Sequence, residues 1–300
     1  MAEVHDMLGG SIEQSTPTQG VVRGTAYGDF SVELDSTVFK ERAYVDALKE
    51  MGLDFDEQSV LGKAEEVVLR VVGEFVPLEV VAPPVPWSRL GELDALWSHL
   101  RVLGARGTHA SWRYGFGLHI NAQVAELSAE YVLAQLKAFL LLEPWLIEAG
   151  RTDLSRRVGP FIRPFSKEYK SLVLDASYWP AWDGFVADYL RFSPTRDRPL
   201  DLLPIFASVD LEGTRRQVEQ PHLVRARPTF HYRLPNCDID DVTWSPAHEW
   251  NRWVFVERLG ADRAQLNELS SRFAEAANRR TLTDPWPEEL AAWMADLPGR

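Results

Sequence analysis

The alternation of apolar and polar residues predicts extended segments early in the chain. In "VVRGTAYGDFSVELDSTV", residues 21–38, Phe30, Val32 and Leu34 alternate with polar residues. A period of two is typical of a half-buried strand with one polar face. We therefore expect two extended pieces here, joined by a turn at residues 28–29.

Three later segments also have the pattern of short strands. "VPLEVVAPPV" should end as a strand at its double proline, because proline cannot continue a ladder of hydrogen bonds. "RYGFGLHINAQ", residues 113–123, and "RPTFHYRLPN", residues 227–236, place polar side chains at alternate positions. Those polar side chains therefore fall on one face of each predicted strand.

Helical spacing of apolar residues follows these strands. It predicts helices over "WSRLGELDALWSHLRVLGA" and over "YVLAQLKAFLLLEPWLIEAG". The second segment contains Lys137, Glu143 and Pro144, which indicates a core helix bent at Pro144 rather than a membrane span.

Taken together, the predicted elements indicate the α+β class. We expect a mainly antiparallel sheet with helices packed on one side. Residues 1–20, rich in Gly, Ser and Thr, are predicted to be a loose tail. Residues 21–300 are predicted to form one domain that is helical from about residue 245.

Composition and charge narrow the possible functions. The chain has 300 residues, 45% of them hydrophobic, which suffices for a substantial core. A net charge of −12 argues against nonspecific binding to nucleic acid or to anionic membranes. One cysteine, Cys237, excludes an internal disulfide and a cysteine-based zinc site. No signal peptide, Rossmann motif or P-loop is evident, and we expect a cytoplasmic protein.

Candidate ligands lie on the predicted polar faces. Glu33 and Asp35 share one strand face, Glu79 stands alone among apolar neighbours, and His119 alternates with Asn121. Carboxylates and imidazoles from adjacent strands would hold a divalent metal through oxygen and nitrogen atoms. The alternatives are a solvated strand face, an outward-facing glutamate and a hydrogen-bonded core histidine.

The segment "RARPTFHYRLPN" adds candidate cationic residues. His231 and Arg233 alternate with apolar neighbours, and Arg225 and Arg227 lie close in sequence. An arginine suits bidentate binding of phosphate or carboxylate. The alternative is an arginine that forms a salt bridge at a sheet edge.

In their order along the chain, these segments resemble the putative amidoligase family, relatives of glutamine synthetase and the glutamate–cysteine ligases. The resemblance spans about residues 28–259 and rests on "GDFSVELDS", "VPLEVVAPPV", "GFGLHINAQ" and "RPTFHYRLPN". It implies a glutamine synthetase-like fold and an ATP-dependent carboxylate–amine ligase. ATP would phosphorylate an amino-acid or peptide carboxylate, and an amine would attack the acyl phosphate to form an amide.

The resemblance also implies cofactors and site residues. The cofactors are ATP and Mg²⁺ or Mn²⁺. Implied metal ligands are Glu33, Glu79, His119 and His231, with Asp35 as an alternative to Glu33. Implied nucleotide contacts are His119, Asn121, Arg227 and Arg233, and implied catalytic residues are Glu79, His119 and Arg233.

Three departures from the family pattern leave other functions open. Asn121 stands where the family often has a second histidine, and His231 stands where related enzymes carry a metal-binding glutamate. A Glu-x-Glu strand near the N-terminus is not evident in residues 1–27. The alternatives are a non-catalytic relative that binds nucleotide or carboxylate, and a metal-dependent hydrolase. Nothing in the sequence indicates an oligomeric state.

Overall fold

The computed structural model describes residues 1–16, 19–34, 78–110, 117–152, 162–279 and 284–296. Its internal contacts divide the chain into two compact units. The first unit comprises residues 1–106 and 239–242, and the second comprises residues 107–238 and 243–300. The predicted single catalytic domain over residues 21–300 stays a prediction.

The first unit is built on a four-stranded antiparallel sheet. Its strands are hydrogen-bonded in chain order: β1 (Ser11–Thr16), β2 (Gln19–Thr25), β3 (Gly28–Leu34) and β4 (Leu78–Val81). Helix α1 (Ala2–Leu8) precedes the sheet, and a 3₁₀ helix (Trp87–Leu93) and α2 (Asp94–Val102) follow it. The double proline at residues 83–84 lies just beyond β4, as predicted.

One face of this sheet packs against the helical segments. Val22 of β2 and Phe30 of β3 are register partners and are both fully buried. They form a core with Val4 of α1, Leu93 and Leu96. Because successive strand residues point to opposite faces, the other face carries the polar residues. The sheet and these helices confirm the mixed helix-and-sheet class, while the glutamine synthetase-like arrangement stays a prediction.

Two expectations for the first unit differ from the structure. Residues 1–20 are not a loose tail, because Val4 reaches the core and β1 pairs with β2. The turn between β2 and β3 lies at residues 26–27, two positions before the predicted one. Gly28 has a φ of 118° and opens β3, and a Cβ atom there would lie 3.2 Å from Pro83 Cβ. The glycine is thus needed for the entry into β3 rather than for the turn.

The last part of the first unit comes from far along the chain. Residues 239–242 belong to this unit, and Ile239 is buried. The guanidinium Nε of Arg101 on α2 donates a 2.6 Å hydrogen bond to the carbonyl oxygen of Ile239.

The second unit is organised around the long helix α3 (Ala129–Ala149), which is buried along most of its length. The side chain of Ser128 caps its start by accepting from the backbone N–H of Tyr131. Lys137 is only 1% exposed, and its Nζ donates to the carbonyl of Asp175 at 2.7 Å. The prediction of a core helix is confirmed, and among the helices of the described ranges none is long and apolar enough to cross a bilayer.

Short helices and a small sheet complete the second unit. The helices that follow α3 are α4 (Lys167–Val173), α5 (Trp182–Phe192), α6 (Leu203–Val209), α7 (Leu211–Arg215), α8 (Pro246–Ala261), α9 (Arg263–Ala277) and α10 (Trp286–Ala295). The predicted helical region from about residue 245 is thereby confirmed.

The predicted strands of the second unit are shorter than expected. Strand β5 (Leu200–Asp201) pairs antiparallel with β6 (His231–Tyr232). The strand predicted over residues 227–236 is therefore limited to the two residues of β6. The described part of residues 113–123 makes isolated bridges at Ile120 and Gln123 rather than a regular strand. Residues 111–116 lie outside the described part of the chain.

Candidate functional site

The β5–β6 pair places two titratable side chains opposite each other. Asp201 and His231 are register partners, and so are their neighbours Leu200 and Tyr232. Tyr232 is anchored in the core, where its ring lies 5.6 Å from that of Trp253. Alternation along the strand then directs His231 to the other face of the pair.

His231 is held by Asn121. Paired backbone hydrogen bonds of 2.9 and 3.0 Å between Ile120 and Tyr232 bring the two segments together. The Nδ1 of His231 lies 2.7 Å from the Oδ1 of Asn121. Because a carbonyl oxygen only accepts, Nδ1 carries the proton and donates, which leaves Nε2 as an acceptor.

The other nitrogen of this imidazole is buried. His231 is 6% exposed, and its Nε2 has no hydrogen-bond partner among the described residues. The ring makes an edge-to-face contact with the exposed imidazole of His119, with 4.9 Å between centroids. Burial, and then the neighbouring charge of Arg233, holds the pKa of His231 well below its usual range. The imidazole is therefore neutral at neutral pH.

A buried ion pair lies beside this histidine. The Nη2 of Arg233 is 3.8 Å from the Oδ2 of Asp201, and both residues are more than 90% buried. Asp201 also accepts a 2.9 Å hydrogen bond from the backbone N–H of Leu203. Burial raises the pKa of Asp201 to about 6, and Arg233 only partly opposes this effect.

Four arginines surround a pocket at this point. Its free space is about 260 Å³ when the open solvent at its mouth is counted, and His231 and Asp201 also line it. The arginines are Arg196, Arg225, Arg227 and Arg233, and the apolar part of the lining is formed by Leu203, Pro204, Leu223 and Val224. With four guanidinium groups and one carboxylate, the pocket is strongly positive. It is therefore suited to an anion such as phosphate or carboxylate.

This charge distribution disfavours a metal ion at His231. A divalent cation bound to His231 would face the four guanidinium groups of the pocket. Over the described ranges, no group of three or more His, Cys, Asp or Glu side chains is arranged to hold a metal ion. The metal role implied for His231 by the resemblance is thus poorly matched to its surroundings.

The remaining predicted ligands lie on the sheet of the first unit. Glu33 on β3 and Glu79 on β4 are direct register partners on the face opposite the core. The amide Nε2 of Gln19 donates to Glu33 at 3.1 Å. Side chains directly opposite in an antiparallel pair have Cβ atoms roughly 4.5–5.5 Å apart. Mg²⁺ typically takes one or two carboxylates together with water and phosphate, so this pair fits that ion.

The structure thus gathers the sequence-predicted residues into two sets. His119, Asn121, His231, Arg227 and Arg233 belong to the second unit, and Glu33 and Glu79 belong to the first. That the two sets serve one reaction stays a prediction, and Asp35 lies outside the described residues.

Sequence reasoning missed two charged residues of the arginine pocket, Asp201 and Arg196. Asp201 stands in an apolar run, "PLDLLPIF", and becomes notable only through its pairing with His231. Arg196 lies in an irregular segment whose periodicity carries no information about a pocket. A charged residue inside an apolar run is the one signal that would have drawn attention to Asp201.

Comparison with known proteins gives a match at the level of a family. A family model described as "Putative amidoligase enzyme" matches residues 1–255, which is more than four-fifths of the chain. Neither the curated proteins nor the solved structures that were searched gave a match.

Proposed function

Because the chain belongs to the putative amidoligase family, we propose that it is an ATP-dependent carboxylate–amine ligase. In this reaction ATP phosphorylates the carboxylate of an amino acid or peptide. The amine then attacks the acyl carbon, the bond to the phosphate oxygen breaks, and an amide and inorganic phosphate are released. Family membership supports the ligase class, and the arginine pocket is the observation that supports the binding of phosphate groups.

The arginine pocket supplies what phosphoryl transfer requires of a protein. Charge on the phosphoryl oxygens must be stabilised by cationic groups that are already in position. Arg233 is buried beside Asp201, while Arg225 and Arg227 are exposed at the pocket. We assign phosphate binding to these side chains, in agreement with the roles implied for Arg227 and Arg233.

The carboxylate pair of the first unit is the proposed magnesium site. Two glutamates directly opposite each other repel, and a cation between them relieves that repulsion. In phosphoryl transfer, a bound Mg²⁺ or Mn²⁺ supplies charge neutralisation. Glu33 and Glu79 would hold the ion through oxygen atoms, and Gln19 would orient Glu33.

The test is ADP release with Mg²⁺ or Mn²⁺ and a panel of amino-acid and peptide carboxylates with amines. Mass spectrometry of the same mixtures identifies an amide product. Arg227→Gln should lower the rate about 100-fold, because it removes a positioned donor to the phosphoryl group. Arg216→Gln, at an exposed arginine outside the pocket lining, serves as the matched control.

A non-catalytic relative is the second candidate, and His231 favours it. By the resemblance, this histidine stands where related enzymes carry a metal-binding glutamate, and it lines a pocket with four arginines. Such a protein would bind ATP without releasing ADP in the presence of any substrate, and that result would contradict the ligase proposal.

A further inference from the structure

A buried lysine of α3 contacts residues 174–181, the α4–α5 connection. Lys137 is only 1% exposed, and its Nζ donates a 2.7 Å hydrogen bond to the carbonyl oxygen of Asp175. The same Nζ lies 4.6 Å from the ring centroid of Trp179 and 5.9 Å from that of Tyr178. Within the described ranges, one carbonyl and two aromatic rings take the place of the water that surrounds an exposed ammonium group. Cation–π attraction replaces only part of that lost hydration.

Arg263, at the start of α9, brings a second positive charge to the same indole ring. Its Cζ lies 3.2 Å from the ring centroid of Trp179, and its Nη1 is 3.1 Å from the Oε1 of exposed Glu130. Burial, and then the charge of Arg263, lowers the pKa of Lys137 to about 8, and Asp175 only partly opposes these effects. The protonated amine is therefore less stable in this closed arrangement than it would be in water.

The groups beside Lys137 do not share its sensitivity to pH. Hydrogen bonds to its carboxylate lower the pKa of Asp175, which stays ionised above pH 7. Burial, and then a hydrogen bond to Asp188, raises the pKa of Tyr178, which stays neutral at pH 9. An arginine is charged at all these pH values, so Arg263 repels the protonated amine throughout. Of these five residues, Lys137 is thus the one that changes its charge near pH 8.

We infer that Lys137 is a proton-operated latch, which holds the α4–α5 connection on α3 when its amine is neutral and releases the connection when its amine is protonated. A neutral amine still donates to the carbonyl of Asp175 and needs less water around it. Release hydrates the amine, so protonation favours the released state. The latch goes beyond the proposed function, since neither of these two residues lines the arginine pocket.

Release depends on pH because the two states hold the proton of Lys137 with different affinities. The pKa of the amine is about 8 in the closed state and, once the amine is hydrated, near the ordinary lysine value of about 10.4. Between these values the released state binds more protons, so the equilibrium constant for release falls as the pH rises. From pH 7 to pH 9 the constant should fall about tenfold, and below pH 7 it should stay nearly level.

Hydrogen exchange of the full chain at pH 7 and pH 9, followed by mass spectrometry, measures this constant. Where reclosing is faster than exchange, dividing the observed rate by the intrinsic rate at each pH gives the equilibrium constant for opening. The group to follow is the backbone N–H of Tyr178, which donates to the carbonyl of Asp175 at 3.1 Å. Its opening constant should be about tenfold smaller at pH 9 than at pH 7. Equal constants at the two pH values would overturn the inference.

Variants assign the pH dependence to the proton of Lys137. Lys137→Met keeps an unbranched side chain without a charge, so its opening constant should be the same at pH 7 and pH 9. Lys137→Arg keeps the charge at both pH values, so its constant should be larger than that of Lys137→Met and again independent of pH. The matched control is Lys167→Met, at an exposed lysine of α4, which should keep the tenfold change.

The two variants of Lys137 also keep the inference open to refutation if one of them does not fold. A tenfold change that persists in Lys137→Met would overturn the inference, because no lysine then remains at the latch. The same change in Lys137→Arg would overturn it as well, since that side chain does not lose its proton between pH 7 and pH 9. Loss of the change in Lys167→Met would place the titrating group on α4 rather than on α3, against the inference.

Discussion

Two cross-strand pairs of titratable residues show how differently the same backbone geometry can be used. Glu33 faces Glu79 across β3 and β4, and Asp201 faces His231 across β5 and β6. Both pairs are direct register partners in antiparallel ladders. The glutamates lie on the polar face of a sheet, with Glu79 exposed, whereas Asp201 and His231 are both more than 90% buried.

Burial, rather than pairing, sets the chemistry of these residues. In the buried pair, loss of water raises the pKa of Asp201 and lowers that of His231, so both groups favour their neutral forms. Arg233 compensates the charge of Asp201 when it is ionised. In the glutamate pair on the polar face of the sheet, water screens the two like charges, so the repulsion between them costs little.

The largest expected effect comes from removing Arg233, whose charge compensates that of buried Asp201. Arg233→Leu leaves Asp201 buried without its counter-charge and should lower the free energy of unfolding by about 3–5 kcal/mol at pH 7.5. Urea denaturation measures the change. The control is Arg272→Gln on α9, where an exposed pair with Glu268 should contribute under about 0.5 kcal/mol. Similar losses of unfolding free energy in the two variants would mean that burial does not make the ion pair of Arg233 with Asp201 more important than the exposed pair of Arg272 with Glu268.

The next effect is a pH dependence contributed by Asp201. Its pKa is about 6 in the folded chain and near 4 when unfolded, so between these values the folded state binds more protons. The contribution of Asp201 to stability is therefore fully present below about pH 4 and is lost as pH rises to about 6. A shift of two units corresponds to about 3 kcal/mol.

Asp201→Asn isolates this contribution from those of the other carboxyl groups. From pH 4 to pH 6, the free energy of unfolding of the natural chain should fall relative to that of the variant. Urea denaturation at several pH values checks the slope. A constant difference across that range would place the pKa of Asp201 at its ordinary value.

A smaller effect is expected at Asn121. Asn121→Ala removes the acceptor for the Nδ1 of His231 and should cost about 1 kcal/mol, the usual net value of one hydrogen bond. Asn121→Asp keeps an acceptor at the same place and should retain most of the stability. A loss as large as that in Arg233→Leu would show that Asn121 supports more than this one bond.

The smallest effect, of opposite sign, is expected in the exposed pair. Glu79→Gln removes a like charge opposite Glu33 and should stabilise the chain by a few tenths of a kcal/mol. Millimolar Mg²⁺ should raise the melting temperature of the natural chain and raise that of the variant less. Destabilisation by more than about 1 kcal/mol would contradict the view of Glu33 and Glu79 as a repelling pair.

Much of the fold could be predicted because it depends on local periodicity. The alternation around Phe30 and Val32 predicted β3, and the apolar run from residue 131 predicted the buried helix α3. The prediction of a loose tail was wrong because the apolar residues at the N-terminus that contact the core, Met1, Val4 and Leu8, are too few to give a clear periodic pattern. The turn was misplaced because Gly28 is required by its positive φ and by Pro83, a residue distant in sequence.

The candidate site was predictable only in part. Alternation placed His231 and Arg233 on one face, but neither Asp201 nor the hydrogen bond from His231 to Asn121 could be inferred. Both depend on residues at least 30 positions apart that meet only after folding. The family match also extends to residue 1, further towards the N-terminus than the resemblance recognised from residues 28–259.

The hydrogen bond from Arg101 to Ile239 has a consequence for how the chain is made. The two residues are 138 positions apart, and Ile239 belongs to a short segment, residues 239–242, of a unit whose remaining residues all precede residue 107. At roughly 5–20 residues per second, the ribosome needs on the order of ten seconds to supply this partner after Arg101. Throughout that interval the sheet and its helices exist without their last segment, and a chaperone that binds nascent chains would meet the first unit in this incomplete form.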